Sequence, residues 1–286
     1  MLTYSEICRR LDAAGVDAPS YEATLLLEHF CDVPRAELPF RKNEDFSSAE
    51  LICAVEKREK RYPLQYIIGE WSFCNESYKV GEGCLIPRSD TEMLVMRASE
   101  LLPRGASFLD LCTGSGCIAV SLLKRRSDCT AVAVDISDVA LRYAAENARR
   151  NGVDDRVTFV TSDILDPSSP AELFSLGNFS AILSNPPYIK CGAAAGLEPE
   201  LSFEPDLALF GGDDGMVFYR AIVDGFLPYV MSEGFVLFEI GYDLGKDISI
   251  LCADKGYDCV IEKDLAGNDR LAYVRPSDSN NETFCV

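Results

Sequence analysis

From residue 107 onward, short apolar segments alternate with amphipathic ones, and this alternation limits the possible folds more than any other feature. Strands are predicted at residues 107–111, 130–134, 157–160, 179–183 and 234–240, and helices at residues 116–125, 138–151, 216–229 and 243–255. Such a succession favours a parallel, doubly wound sheet. Two last strands are predicted at 257–262 and 270–275, and their short connection makes them antiparallel. The predicted fold class is therefore α/β, with a Rossmann-like, mostly parallel sheet and an antiparallel last strand.

The first third of the chain has the pattern of a small helical unit. Residues 3–6 and 47–50 fit the capping box, in which a hydroxyl and a glutamate satisfy free N–H groups at the start of a helix. Ser20 is predicted to be the N-cap of a further helix, and residues 64–73 and 77–86 to be extended. We predict four parts: a helical N-terminal domain over 1–72, a β-hairpin linker over 73–88, the sheet domain over 89–276, and a flexible tail over 277–286.

The charge balance argues against a general nucleic-acid binder. The chain has 46 acidic and 27 basic side chains, a net charge of −19, and residues 73–286 hold 33 of the acidic and 18 of the basic ones. Proteins that bind nucleic acid through its phosphates carry a basic surface. We therefore expect no direct nucleic-acid partner.

Histidine and cysteine usage excludes several classes of site. A single histidine, His29, argues against a Ser-His-Asp triad and against a histidine-rich metal site. The twelve cysteines form no C-x-x-C pair, which argues against zinc-ribbon and thioredoxin-type sites. The chain starts without the apolar stretch of a signal peptide, and it has no apolar run of about 18 residues. We expect a reduced, cytoplasmic protein with free buried thiols and no membrane association.

A glycine loop follows the first predicted strand of the sheet domain. Its residues are Cys112, Thr113, Gly114, Ser115 and Gly116. Glycines allow close approach of the backbone to a ligand, and the helix that follows offers unpaired N–H groups. The dinucleotide fingerprint requires glycine at 112, 114 and 117, and two of these residues are cysteine, which disfavours NAD. A plain strand-to-helix turn is the alternative.

Acidic residues end the next two predicted strands. Asp135 is placed to accept both hydroxyls of a ribose, and Asp163 to accept from an adenine amino group while Ile164 packs on the base. Each aspartate alone also fits a helix cap or a turn. Because ligands of doubly wound sheets lie at the carboxyl ends of the strands, the two acids and the glycine loop together predict a site for a nucleoside-containing cofactor.

The sequence Asn185-Pro186-Pro187-Tyr188 follows the fourth predicted strand. Two prolines stiffen the backbone and remove two N–H donors, so the Asn185 side-chain oxygen and the Pro186 carbonyl remain as rigid acceptors. Tyr188 adds a flat apolar face. This group suits a planar NH₂, either of a carboxamide or of an adenine, and the alternative is a loop that merely ends a strand.

The three motifs in this order resemble a class I S-adenosylmethionine-dependent methyltransferase of the amino-methylating type. The likeness extends beyond the three motifs: from about residue 3 to 276, the chain resembles the peptide chain release factor N5-glutamine methyltransferase family (HemK/PrmC). It includes the segments 63–70, 85–92, 198–201, 203–205, 209–212, 238–242 and 264–270. Three residues depart from the family pattern: Cys112 stands where many members have glycine, Ser89 replaces a common proline, and Ile164 replaces an aromatic residue of some members.

The resemblance implies an enzyme, its cofactor and its substrate. The cofactor is S-adenosyl-L-methionine, with residues 112–116 along its methionine part, Asp135 on the ribose, and Asp163 and Ile164 on the adenine. Asn185, also near the cofactor, holds the target with Pro186, Pro187 and Tyr188, and no metal is required. The target is the glutamine of the Gly-Gly-Gln motif in bacterial-type release factors, so the expected role is protein methylation in translation termination. We expect a monomer, with the helical domain docking the substrate.

Two other functions stay open at this point. Asn-Pro-Pro-Tyr also occurs in adenine-N6 methyltransferases of DNA or RNA, although the negative charge and the lack of a target-recognition domain disfavour that reading. The third possibility is a relative of the same fold that binds a nucleoside without catalysis. Arg88 and Glu92 match the family pattern, but the sequence assigns them no role.

Overall fold

The computed structural model describes residues 1–231 and 233–277. Its first part is a group of five helices, α1 to α5, with a core of their own that includes Ile7, Leu27 and Leu51. These helices span Tyr4–Ala13, Pro19–Cys31, Leu38–Arg41, Ala49–Glu59 and Leu64–Ile68. The Thr3 hydroxyl accepts a hydrogen bond from the Glu6 N–H at the start of α1, as the capping motif over 3–6 predicts. At the start of α4 the N-cap is Ser48, one residue after the position that the motif over 47–50 predicts, and its hydroxyl accepts from the Leu51 N–H.

A two-stranded antiparallel hairpin follows, formed by β1 (Glu70–Phe73) and β2 (Glu76–Lys79). Buried Tyr78 makes a 2.5 Å hydrogen bond with the hydroxyl of Ser121. Asn147 accepts a hydrogen bond from the Lys79 backbone N–H and donates to the carbonyls of Lys79 and Ser115. The hairpin is therefore attached both to the helices behind it and to the glycine loop.

The second part of the chain forms a seven-stranded sheet in the order β5-β4-β3-β6-β7-β9-β8. Its strands are β3 Ser107–Leu111, β4 Thr130–Asp135, β5 Val157–Thr161, β6 Ala181–Ser184, β7 Phe235–Glu239, β8 Tyr257–Lys263 and β9 Asp269–Pro276. The strands β3 to β7 pair in parallel, whereas β9 is antiparallel to both β7 and β8. The predicted α/β class and the antiparallel last strand are confirmed.

Helices cover both faces of this sheet over two large apolar clusters. The helices are α6 Thr91–Leu101, α7 Cys117–Arg125, α8 Asp138–Asn151, α9 Ser169–Phe174, α10 Asp206–Leu209, α11 Val217–Ala221 and α12 Gly245–Asp254. Short 3₁₀ turns lie at Asp154–Arg156, Cys191–Gly196, Pro199–Phe203 and Leu227–Tyr229, and a π-turn at Ile222–Phe226. In the described part of the chain, no helix combines the length and the apolarity that a membrane crossing requires.

Three local predictions were wrong. Residues 64–68 form α5 instead of an extended segment, since a helical turn buries Leu64 in the core of the N-terminal helices and Tyr66 in the first apolar cluster of the sheet. The second helix begins at Pro19 with Ala18 as its N-cap, so Ser20 lies inside it. The helix predicted at 216–229 breaks into α, π and 3₁₀ turns, because Pro228 offers no N–H and its ring clashes with the preceding turn.

The division into domains stays a prediction, but the predicted linker and the predicted tail can be compared with the structure. The hairpin starts at Glu70, before the predicted linker at 73–88. The predicted flexible tail lies, apart from Ser277, outside the described residues. The eleven cysteines within the described residues carry free thiols, and five of them are buried.

A buried ion cluster joins the N-terminal helices to the segment that follows Asn-Pro-Pro-Tyr. The Arg58 side chain, on α4, is 5% exposed and contacts Glu22 of α2 at 2.5 Å and Glu200 at 2.8 Å. Arg61 makes two further hydrogen bonds to Glu200, of 2.6 and 2.8 Å. The position of the helices relative to the sheet therefore depends on a charged group with little access to water.

We expect Arg58→Ala to lower the free energy of unfolding by about 3 kcal/mol, because it leaves the partly buried Glu22 carboxylate without its counter-charge and leaves Glu200 with Arg61 alone. The matched control is Arg9→Ala, which removes an exposed pair with Glu6 and should leave the free energy of unfolding almost unchanged. Urea unfolding of both variants checks this. Equal losses in the two variants would contradict the role given to the buried cluster.

Candidate active site

A cleft opens at the carboxyl ends of β3, β4, β5 and β6. Parallel strands bring these ends to one edge of the sheet, where ligands of this type of fold bind. The predicted site residues that line the cleft are Cys112, Thr113, Gly114, Ser115, Asp135, Asp163, Ile164, Asn185 and Pro187. Gly116, Pro186 and Tyr188 are not among its lining residues.

The glycine loop is held by a buried carboxylate. Asp110 of β3 accepts a 2.6 Å hydrogen bond from the Thr113 hydroxyl and a 3.1 Å bond from the Ala119 N–H at the start of α7. Complete burial raises the pKa of Asp110 to about 7, and the Thr113 bond opposes that shift. Asp110 thus connects strand, loop and helix. Sequence reasoning missed it, although a carboxylate inside an apolar strand was a visible signal.

Three loop residues have left-handed backbone conformations, with φ of 61° at Cys112, 56° at Gly114 and 79° at Gly116. Gly116 is the N-cap of α7, and a Cβ there would lie 3.0 Å from the Cβ of Ala144. Glycine is therefore favoured at 116 by the left-handed backbone and by the close approach of α8, and Gly116 does not line the cleft. Cys112 adopts a conformation that glycine takes without cost.

Asp135 lies at the end of β4, facing the loop. Its carboxylate accepts backbone hydrogen bonds of 2.9 Å from Gly114 and from Ser137. Burial raises the pKa of Asp135, and these backbone bonds oppose the shift. Asp163 accepts from the Leu165 N–H at 2.9 Å, and Ile164 is buried beside it. The structure thus brings both predicted acids to the cleft.

Asn185 and Pro187 reach the cleft from the end of β6. The Asn185 amide donates from Nδ2 to the Thr91 hydroxyl at 3.1 Å. Both prolines are buried, whereas Tyr188 is half-buried and packs against the second apolar cluster. The Tyr188 hydroxyl donates to Glu239 at 3.4 Å, and burial raises the pKa of Tyr188.

The structure gives Arg88 and Glu92 contacts that the sequence did not indicate. Arg88, which lines the cleft, pairs with buried Glu204, and Glu204 also accepts from the Ile86 N–H at 2.9 Å. Glu92 accepts from the Cys74 N–H in the hairpin turn at 2.8 Å. The contact of Arg88 with Glu204 closes one side of the cleft with the segment after Asn-Pro-Pro-Tyr, whereas the Glu92 bond joins α6 to the hairpin. Within the described residues, no group of three or more His, Cys, Asp or Glu side chains is arranged to hold a metal ion.

Comparison with known proteins identifies the family. Residues 4–69 match the PrmC N-terminal domain, and residues 89–197 match the methyltransferase small domain. The release factor glutamine methyltransferase of Thermodesulfovibrio yellowstonii is 36% identical over 267 residues, which cover 90% of this chain and 93% of that protein. The corresponding protein of Moorella thermoacetica is 38% identical over 279 residues, which cover 94% and 96%. The chain belongs to the release factor glutamine methyltransferase family.

A solved structure supports the fold independently of this family. The catalytic domain of hMettl16, determined in complex with MAT2A 3′UTR hairpin 1, superimposes with a TM-score of 0.54 at 13% identity, and the match covers 81% of this chain and 80% of that one. The shared feature is the Rossmann-like class I methyltransferase fold. The match to the methyltransferase small domain and membership of the family make the chain a methyltransferase, and its methyl donor is S-adenosylmethionine.

The cleft of this chain fits such a donor. A Cβ added to Gly114 would meet no atom within 4 Å, so the loop backbone faces open space at this point. Two carboxylates and the buried side chain of Ile164 stand along the same cleft. A ligand with a ribose and a base requires hydroxyl acceptors and an apolar surface, and both are present.

The strained cysteine of the loop allows a test. We expect Cys112→Gly to keep S-adenosylmethionine affinity within about twofold, because glycine adopts the observed φ freely. Cys112→Val should weaken binding and lower the melting temperature, because a β-branched residue at positive φ costs about 1–3 kcal/mol. Isothermal titration calorimetry and thermal unfolding measure the two effects.

The matched control is Cys53→Val, at an exposed cysteine of α4, which should change neither quantity appreciably. Tighter binding by Cys112→Val than by Cys112→Gly would show that backbone conformation does not limit the loop.

Proposed function

We propose that this enzyme transfers a methyl group from S-adenosylmethionine to the side-chain amide nitrogen, N5, of the glutamine in the Gly-Gly-Gln motif of bacterial-type release factors. The observation that carries the proposal is the position of Asn185. It lines the same cleft as the glycine loop and the two acids, and its amide NH₂ is bound to Thr91. The side-chain oxygen is therefore the group available to an incoming amide NH₂.

The donor would lie along the glycine loop and the two acids. Residues 112–116 would face its methionine part, Asp135 its ribose, and Asp163 and Ile164 its adenine. The Asp135 carboxylate is held by two backbone N–H groups, so it is oriented before any hydroxyl arrives. Bound there, S-adenosylmethionine supplies an electrophilic methyl group on a positively charged sulfur.

The acceptor requires help because an amide nitrogen shares its lone pair with the carbonyl and is a poor nucleophile. Asn185 Oδ1 and the Pro186 carbonyl accept its two N–H hydrogens, which aims the nitrogen along the line of attack. The same two acceptors stabilise the positive charge that grows on the nitrogen as the new bond forms. Tyr188 and Pro187 complete the binding site for the target amide.

Adenine-N6 methylation of DNA or RNA is not favoured. Its substrate would carry phosphates to the part of the chain over residues 73–286, which has 33 acidic and 18 basic side chains. The relatives that cover most of the chain are named for release factors. We therefore propose an enzyme without a direct nucleic-acid partner. We also propose that it acts as a monomer in the cytoplasm.

The N-terminal helices are proposed to dock the release factor. A second groove runs between them and the segment around Glu200, and Ile86 and Arg88 line both this groove and the catalytic cleft. A protein held against the helices would thus lie beside the cleft. The ion cluster of Arg58, Arg61 and Glu200 gives the groove a fixed wall.

Incubation with labelled S-adenosylmethionine and a purified bacterial release factor should label the release factor once per chain. A release factor whose Gly-Gly-Gln glutamine is changed to alanine should stay unlabelled, because no other amide is presented to the cleft. Mass spectrometry of the labelled peptide locates the methyl group.

A short Gly-Gly-Gln peptide is the second substrate in this assay. It should react much more slowly than the intact release factor, since it cannot use the proposed docking groove. Equal labelling of the changed release factor would refute the assignment of the target, and equal rates for peptide and protein would refute docking by the helices.

We expect Asn185→Ala to lower the rate of methyl transfer by about 10²-fold or more, because it removes an acceptor aimed at the developing charge. Affinity for S-adenosylmethionine should change far less, which calorimetry measures. Asn43→Ala, at an exposed position between α3 and α4, is the matched control and should keep the full rate. A normal rate for Asn185→Ala would exclude the aiming role.

A further inference from the structure

We propose that Thr91 and Glu239 are positioning residues that set which way the Asn185 amide faces. The inference rests on the proposed function, since it concerns the acceptor that receives the target amide. Both residues come from outside the Asn-Pro-Pro-Tyr motif: Thr91 is the first residue of α6, and Glu239 is the last residue of β7.

The three side chains form a continuous chain of hydrogen bonds. The Thr91 hydroxyl lies 2.6 Å from Glu239 Oε2, and Asn185 Nδ2 lies 3.1 Å from Thr91 Oγ1. Thr91 and Glu239 are each 1% exposed. Thr91 also lines the cleft, so the chain runs from the buried end of β7 to the catalytic surface.

The direction of this chain follows from counting protons. A carboxylate only accepts, so the single hydroxyl proton of Thr91 is donated to Glu239. Thr91 can then only accept from Asn185, which must turn its NH₂ toward Thr91. No hydrogen bond between described residues uses Asn185 Oδ1, and this oxygen is left for a substrate. The reversed amide would present N–H groups to the N–H groups of the target.

The groups around Glu239 shift the pKa of its carboxyl in both directions. Burial raises the pKa of Glu239 to about 7, and the Thr91 bond and the positive charge of Arg270 act against the shift. Asp90, beside Thr91, raises the pKa further, and the Tyr188 hydroxyl donates to the other carboxylate oxygen at 3.4 Å.

The remaining groups near Glu239 are neutral or already paired. The Tyr219 hydroxyl of α11 donates to the Glu239 backbone carbonyl at 2.9 Å. Arg270 of β9 is shared between Asp90 at 3.2 Å and Asp264 at 3.1 Å. The Cys117 thiol, at the start of α7, is uncharged because burial raises its pKa. Among Glu239 and these neighbours, the Glu239 carboxyl is therefore the group that changes its charge near neutral pH.

Protonated Glu239 can donate to Thr91, which frees the Thr91 proton for Asn185 Oδ1 and permits the reversed amide. Acid should thus lower the turnover number with a midpoint near pH 7. The sign follows from the raised pKa: the competent, charged form is present above this midpoint and is lost as the pH falls through it.

The first experiment compares Thr91→Val with Thr91→Ser in the full-length enzyme, with a release factor as substrate. Valine matches the shape without the hydroxyl, so kcat should fall about tenfold or more while KM for S-adenosylmethionine changes little. Serine keeps the hydroxyl and should restore most of kcat. A kcat for Thr91→Val equal to that of the wild type, or for Thr91→Ser equal to that of Thr91→Val, would overturn the proposal.

The second experiment is Glu239→Gln, which decides the question even where Thr91→Val does not fold. The amide introduced by this substitution both donates and accepts at every pH, so kcat should be lower and its decline below pH 7 should disappear. Retention of the wild-type acid limb would overturn the proposal. Wild-type labelling of the release factor tests the proposed function separately: a wild type that fails to label refutes that function, and an active wild type with unaffected variants refutes only the positioning role.

Discussion

Parallel pairing of β3 with β4 on one side and β6 on the other is the constraint on which the rest of the site depends. In this register Leu111 lies opposite both Val134 and Ser184, so β3, β4 and β6 end side by side at one edge of the sheet. This pairing brings the glycine loop, the ribose-binding candidate Asp135 and Asn185 to the same edge of the sheet. Because strand side chains alternate between faces, a shift by one residue would separate them.

Polar groups buried behind the cleft hold this edge in place. Asp110 ties the loop to α7, and Glu239 ties Thr91 to the end of β7. Burial raises the pKa of both carboxyls, and the hydrogen bonds that they accept oppose this shift and offset part of the cost of burying them. The same bonds remove rotational freedom from the groups that face the ligand. Rigidity of this kind suits a reaction in which placement of a weak nucleophile supplies much of the catalysis.

Local signals account for what could be predicted. The glycine loop, the acids after β4 and β5, and Asn-Pro-Pro-Tyr are each short segments whose geometry follows from glycine, proline and strand ends, and most of their residues line the cleft. The prediction of an extended segment over 64–68 was wrong. Tyr66 and its isoleucine neighbours favour strands, whereas burial of Leu64 in the core of the N-terminal helices favours a helix. The break in the helix predicted at 216–229 had a local signal in Pro228, which lies in the 3₁₀ turn that directly follows the π-turn.

The sequence by itself determined the α/β class, the sheet with its antiparallel end, the likeness to amino-methylating enzymes and the loop residues of the cleft, because each depends on residues close together in the chain. Only the tertiary structure revealed the contact of Arg88 with Glu204 and the link from Asn185 through Thr91 to Glu239. Those partners are separated by 116, 94 and 148 residues. No local pattern encodes such contacts, because they form only when the folded sheet brings distant strand and helix ends to one edge.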